Sequence, residues 1–148
     1  MGMFINGWHF KWFMTPTALL GLHEPPNLRA CNRKVRELGY QATPRGSLAE
    51  MTAEAQQQRF DLYVMDANLD QSGAVTIAPL ETQLAIPLVQ ESLEHGGRLY
   101  VITGHSDTLA LATAYFNDHP LRAQLHAVLN TNLYERLRLD LSPGNTTS

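Results

Sequence analysis

Acidic, hydroxyl and imidazole side chains follow the apolar runs of this sequence at regular places. They are His23 and Glu24 after ALLGL, Asp66 and Asn68 after LYVM, and Thr103 and His105 at the end of RLYVIT and just beyond it. A carboxylate can act as a nucleophile or hold a divalent cation, while a hydroxyl or an imidazole can bind an anionic group. If the apolar runs are parallel strands of one sheet, these side chains converge on one crevice.

The stretches between these side chains alternate between strand and helix patterns. The predicted strands are Ala18–Leu22, Tyr40–Thr43, Phe60–Met65, Arg98–Thr103 and Leu125–Leu129. The third is the clearest, because a continuous apolar run is typical of a parallel strand covered on both faces. Five strands alternating with helices predict an α/β fold with a doubly wound parallel sheet, in which functional groups lie at the carboxyl ends of the strands.

Helix boundaries are predicted from proline and capping residues. The pair Pro25-Pro26 opens the first helix, and Ser47 with Glu50 forms a capping box for the second. Leucines every four residues predict a third helix, which Pro87 should kink or split. Ser106 is predicted to cap the next helix through its hydroxyl.

Composition limits the class of protein. The chain has 148 residues, as one domain would, and a formal net charge of -3, which argues against a protein that mainly holds nucleic acid. The single Cys31 excludes an internal disulfide and a cysteine-rich zinc site. No apolar stretch approaches the roughly 20 residues of a membrane span, and we expect a cytoplasmic location. We expect an aromatic-rich arm at 1–17, one domain at 18–141 and a tail at 142–148.

This layout resembles the response-regulator receiver domain of two-component signalling. The best-matching segments are FDLYVMDANL at 60–69 and RLYVITGHSD at 98–107, and the resemblance covers about Thr17–Leu141. It implies the flavodoxin-like strand order 2-1-3-4-5 and a role in a phosphorelay. In that family an aspartate takes a phosphoryl group from a histidine, while a divalent cation, a hydroxyl and a lysine surround the phosphoryl oxygens.

The resemblance implies roles for individual residues. Asp66 falls at the phosphoacceptor position, and Asn68 falls where a backbone carbonyl would hold the cation. Thr103 falls at the switch hydroxyl. Glu24 is one member of the acidic pair that would bind Mg²⁺, but His23 replaces the other acid and is a poor magnesium ligand.

A second departure concerns positive charge. The lysine expected after strand five is missing, because the only lysines are Lys11 and Lys34. His105, if protonated, would be a substitute cation. These losses predict an atypical receiver domain that acts without phosphorylation. We expect it to stand alone and to act through protein contacts, and we do not expect an enzyme.

Two other functions stay open at this stage. One is a receiver that accepts phosphate at Asp66 with the help of weakly bound Mg²⁺, and the other is a flavodoxin-like enzyme or small-ligand binder. Zinc or another transition metal at His23, Glu24 and Asp66 is permitted by the ligand types, although no spacing motif supports it. The expected partner is a sensor histidine kinase or another signalling protein, with homodimerisation as a further alternative.

Overall fold

The computed structural model describes residues 15–70 and 75–141. The predicted aromatic arm (except its last residues), the turn at 71–74 and the tail lie outside the described residues. The strands are β1 (Thr17–Gly21), β2 (Gln41–Arg45), β3 (Leu62–Asp66), β4 (Arg98–Thr103) and β5 (Leu125–Leu129). The helices are α1 (Pro25–Glu37), α2 (Leu48–Gln57), α3 (Ala78–Leu84), α4 (Pro87–Glu94), α5 (Ser106–Asn117) and α6 (Leu133–Leu141).

The strands form one five-stranded sheet in the order β2-β1-β3-β4-β5. Every neighbouring pair is parallel, and the register aligns Leu20 of β1 with Val64 of β3. This confirms the predicted fold class and strand order. Because all strands run in one direction, their carboxyl ends lie along one edge of the sheet.

Helices cover both faces of the sheet, and each face has its own apolar core. On one face Met51, Leu80 and Phe116 from the helices pack against Tyr63 and Met65. On the other face α1 and α6 pack against alternate residues of the same strands, among them Leu20, Val64 and Ile102. Because successive side chains of a strand point to opposite faces, each central strand is apolar throughout.

A polar cluster fastens α6 to the sheet at the amino end of β4. The hydroxyl of Tyr100 donates to Asp140 Oδ2 at 2.7 Å, and the Arg98 guanidinium donates to the backbone oxygen of Asp140 at 3.1 Å. Arg136 donates to Asp140 Oδ2 at 3.3 Å, and the ring of His126 stacks on Tyr100 with the ring centroids 4.6 Å apart. The end of α6 is therefore held by a carboxylate as well as by leucines.

The helix boundaries follow the predictions with one correction. Pro87 splits the predicted third helix, since α3 ends at Leu84 and α4 begins at Pro87. Ser47 Oγ accepts from the backbone N–H of Glu50, as a capping residue does. The prediction for Ser106 is wrong: it is the first residue of α5, and the capping position is His105, whose side chain makes no cap hydrogen bond.

No helix among the described residues is both long enough and apolar enough to cross a membrane.

Candidate functional site

A polar cavity of about 200 Å³ opens at the carboxyl ends of β1, β3 and β4. Its lining contains all six residues that the sequence singled out, together with three others: His23, Glu24, Asn27, Asp66, Asn68, Thr103, Gly104, His105 and Asn130. The loops that follow three adjacent parallel strands bring these residues together, as the sequence predicted. Asn27 was missed, because its only signal is a place in the first turn of α1.

Asp66 is the last residue of β3, and its side chain is 13% exposed at the cavity. Its Oδ2 atom accepts two hydrogen bonds from His23, one from the backbone N–H at 3.0 Å and one from ring Nδ1 at 2.9 Å. The ring Nδ1 donates in this contact whenever the carboxylate is ionised, because an ionised carboxylate can only accept. His23 thus contacts this carboxylate oxygen directly, through both its backbone and its ring.

Glu24 lies beside this pair at the start of α1. The prolines that follow it favour an extended conformation at Glu24 and a helix start immediately after it, and both are observed. Its Oε1 atom accepts from Asn27 Nδ2 at 2.7 Å. Glu24 is exposed, and its carboxylate is directed to the first turn of its own helix.

Thr103 and His105 form the opposite wall, after β4. Thr103 is 6% exposed, and its Oγ1 atom accepts from the backbone N–H of His105 at 3.1 Å. His105 itself is exposed. A side chain built at Gly104 would contact the amide of Asn130, so the loop after β5 lies against this wall. The hydroxyl of Thr103 stabilises the start of α5 in this arrangement.

The described lining of the cavity contains no lysine or arginine and no formed metal-binding group. None of the described residues that line it is a lysine or an arginine. Lys34 is directed elsewhere, with its ammonium 3.8 Å from the centre of the Tyr134 ring, and Lys11 lies outside the described residues. Among residues 15–70 and 75–141, no three His, Cys, Asp or Glu side chains are grouped closely enough to hold a metal ion.

Magnesium fits this arrangement poorly. Mg²⁺ prefers carboxylate and water oxygens in near-octahedral geometry. Here Asp66 Oδ2 accepts two hydrogen bonds from His23, and Glu24 Oε1 accepts one from Asn27. Asn68 lines the same cavity, where its backbone carbonyl is a further candidate oxygen ligand.

An apolar groove of about 220 Å³ adjoins the cavity between α1 and α6. Asn27, Asp66 and Asn130 line both spaces and separate them. Cys31 lies in the groove, where burial, and secondarily the charge of Asp66, raises the pKa of its thiol to about 12. The thiol is therefore protonated at neutral pH and packs as a small apolar group. This groove could not be predicted from the sequence, because α1 and α6 are distant along the chain.

No family model and no curated protein sequence matches the chain. Among solved structures, a CheY-like response regulator receiver domain protein from Methanospirillum hungatei JF-1 is similar, with 15% identity and a TM-score of 0.59, covering 91% of this chain and 100% of that one. The receiver domain of a sensor histidine kinase from Pseudomonas aeruginosa PAO1, with a magnesium ion in its active site cleft, has 18% identity and a TM-score of 0.57, covering 86% and 98%.

A third similar structure is a de novo designed Rossmann 2x3 fold protein, with 9% identity and a TM-score of 0.57, covering 91% of this chain and 95% of that one. A designed protein scores as well as natural receiver domains, so the likeness establishes the architecture alone. The chain has the fold of response-regulator receiver domains, and its function has to be argued from the site.

Proposed function

We propose that this chain is an atypical receiver domain of two-component signal transduction, which acts through protein–protein contacts with Asp66 at the phosphoacceptor position. The observation that carries the proposal is the pairing of His23 with Asp66, in which one residue makes two hydrogen bonds to one carboxylate oxygen. A phosphoryl donor has to displace this contact to reach that oxygen.

The charges around Asp66 support the same proposal. A unit charge about 4 Å from another contributes roughly 4 kcal/mol at an effective dielectric constant near 20, before desolvation. Phosphoryl transfer relies on such charges, because negative charge spreads over the equatorial oxygens in the transition state. The described lining of the cavity has no lysine or arginine, and any Mg²⁺ would be weakly held. The transfer step therefore lacks most of its electrostatic stabilisation.

The receiver module of this proposal comprises residues 18–141, and its partner is a sensor histidine kinase or another signalling protein. A second copy of the chain is the alternative partner. In either case the partner recognises the fold of the unphosphorylated chain, because the site offers no charge change to recognise.

Intact mass after incubation with Mg²⁺ and acetyl phosphate tests the proposal. We expect no adduct on the wild-type protein and none on Asp66→Asn. Asp61→Asn is a matched control, because Asp61 lies at the opposite edge of the sheet, where its carboxylate accepts from the backbone of Thr17 at 2.8 Å. Circular dichroism of each sample shows that the protein is folded.

A phosphorylation-competent receiver is the second candidate function. Its support is the position of Asp66, which lies in a cavity with Thr103 and His105 on the opposite wall. A single phosphoryl adduct that is present in wild type and in Asp61→Asn, but absent in Asp66→Asn, would replace the first proposal with this one. In that case His105→Ala should abolish the adduct, because His105 would be the substitute cation.

A further inference from the structure

The apolar groove between α1 and α6 is left unfilled by the residues that the structure describes. Much of its lining is apolar and buried, and this part consists of Leu22, Cys31, Ile102, Leu133 and Leu137. Its volume of about 220 Å³ exceeds the roughly 150 Å³ of an apolar cavity that holds one benzene ring. The groove can therefore accept one large aromatic side chain.

Polar side chains border the groove and limit the chemistry of its occupant. Lys34 of α1 contacts Tyr134 of α6, with its ammonium 3.8 Å from the centre of the ring, so this contact bridges the two helices. Asn27, Asp66 and Asn130 form the border with the polar cavity. One carboxylate and one ammonium group together favour neither an anion nor a cation. A neutral aromatic group with a hydrogen-bond donor fits this lining best, and the indole of tryptophan is such a group.

The chain itself contains such groups in the aromatic arm that precedes β1. Trp8, Phe10 and Trp12 occupy alternate positions there, and His9 and Lys11 lie between them. In an extended segment alternate side chains share one side, so this pattern places three aromatic groups opposite two polar ones. Aromatic side chains at this density are costly to leave in water, because each can bury about 150–250 Å². Binding to an apolar groove would bury the aromatic side and leave the polar side in solvent.

The length of the arm selects the residue that can reach the groove. Between Thr17, where β1 begins, and Leu22, which lines the groove, the chain rises about 17 Å. A segment that returns over this distance must also pass the helix layer, which is about 10 Å thick. The chain from Trp12 to Thr17 spans at most about 17 Å, whereas the chain from Trp8 to Thr17 spans about 30 Å. Trp8 can therefore reach the groove, and Trp12 cannot.

We propose that the groove between α1 and α6 binds the aromatic arm of the same chain, with the indole of Trp8 inserted between the two helices. The ring then packs against Cys31, Leu133 and Leu137, and its N–H donates to an oxygen at the border with the polar cavity. The arm is in this way a ligand of its own domain. The inference does not depend on phosphoryl transfer, because arm binding and the acetyl phosphate assay measure different events and each can fail alone.

Tryptophan fluorescence of the full chain tests the proposal, because Trp8 and Trp12 are its only two tryptophans. Trp12→Phe leaves Trp8 as the single emitter, and Trp8→Phe leaves Trp12, so the two variants form a matched pair. We expect Trp8 to emit at shorter wavelength than Trp12 and to be quenched several-fold less by acrylamide, because a buried indole is shielded from solvent and quencher. Equal quenching of the two tryptophans would overturn the proposal.

A substitution that fills the groove shows where Trp8 is buried. Ala30 lines the groove from α1, so Ala30→Phe places a ring in the space assigned to the indole. In the Trp12→Phe background this change should make Trp8 as easily quenched as Trp12. Ala110→Phe is the matched control, because Ala110 is exposed on α5 and does not line the groove, and it should leave Trp8 protected. Protection of Trp8 that persists in folded Ala30→Phe would overturn the proposal.

Dilution distinguishes the arm of the same chain from the arm of a second copy. Binding within one chain does not depend on protein concentration, so protection of Trp8 that is lost on dilution would overturn the proposal in favour of exchange between copies. If Ala30→Phe does not fold, proton NMR of the wild type decides the question. Nuclear Overhauser contacts between the Trp8 indole and the methyl groups of Leu133 and Leu137 support the proposal, and their absence refutes it.

Discussion

Replacing Tyr100 with phenylalanine removes one hydroxyl from the polar cluster that fastens α6 to the sheet. That hydroxyl lies 2.7 Å from Asp140 Oδ2, and the ring is fully buried, so the substitution keeps the packing and deletes the hydrogen bond. A hydrogen bond to a charged group contributes about 1.5–3 kcal/mol. Because the Asp140 side chain is 24% exposed, water can replace part of the lost hydrogen bond. We therefore expect a loss of about 1.5–2 kcal/mol in the free energy of unfolding.

Urea unfolding at neutral pH measures the loss, with Tyr134→Phe as the matched control. Tyr134 lies on the same helix, but it is 37% exposed and contributes its ring face to the ammonium of Lys34. We expect this control to differ from wild type by less than about 0.5 kcal/mol, as surface substitutions usually do. Equal destabilisation by the two variants would refute the role given to the Tyr100 hydroxyl.

The Tyr100→Phe substitution should also change the pKa of Asp140. Partial burial raises the pKa of Asp140, but hydrogen bonds from Tyr100 and Arg136, together with nearby positive charge, outweigh burial and leave the pKa below its usual value. A carboxylate with a depressed pKa stabilises the fold above its unfolded pKa, and this contribution is lost as pH falls through the folded pKa. Carboxyl NMR should therefore show a higher pKa for Asp140 in Tyr100→Phe than in wild type. An unchanged pKa would contradict the assignment.

Three further substitutions test other contacts. Thr103→Val removes the acceptor for the backbone N–H of His105 and should lower the free energy of unfolding in urea by about 1 kcal/mol. A loss near zero would show that this hydrogen bond contributes nothing to stability. Gly97→Ala places a methyl group against the end of α4 and should lower the free energy of unfolding by about 1–3 kcal/mol. Gly46→Ala places its methyl group in open space and should be nearly neutral. Similar losses in the two variants would contradict this difference in packing. Burial, aided by nearby arginine charge, lowers the pKa of His126, so the free energy of unfolding of the wild type should fall as pH drops below the unfolded pKa of 6.5. His126→Gln should reduce this dependence of stability on pH. An identical dependence in the variant and the wild type would refute the role given to His126.

The fold was predictable because local signals agreed with one another. Alternating strand and helix patterns predicted the parallel sheet, and the proline at 87 predicted the break between α3 and α4. Helix starts were less certain, because several residues near each start can cap it. At α5 the hydroxyl that bonds the helix start belongs to Thr103, the last residue of β4, instead of Ser106.

Residues of the candidate site were predictable by position but not by contact. Strand ends marked Asp66 and His23, yet nothing local in the sequence indicates that two residues 43 positions apart share a hydrogen bond. The same limit applies to Tyr100 and Asp140, which are 40 positions apart. Such contacts depend on side-chain directions across the sheet and cannot be derived from spacing along the chain.

The sheet also determines how the chain must fold. Each pair of neighbouring strands is parallel and separated by at least one helix, so Thr17 finds Gln41 and Ala18 finds Leu62 only after long loops have closed. Loop closure costs entropy before any strand pairing compensates for it, and proteins with mostly non-local contacts fold slowly for this reason. We expect the helices to form first and the sheet to form late, with refolding in roughly milliseconds to seconds. The partly paired sheet is then the state in which unpaired strand edges are open to aggregation.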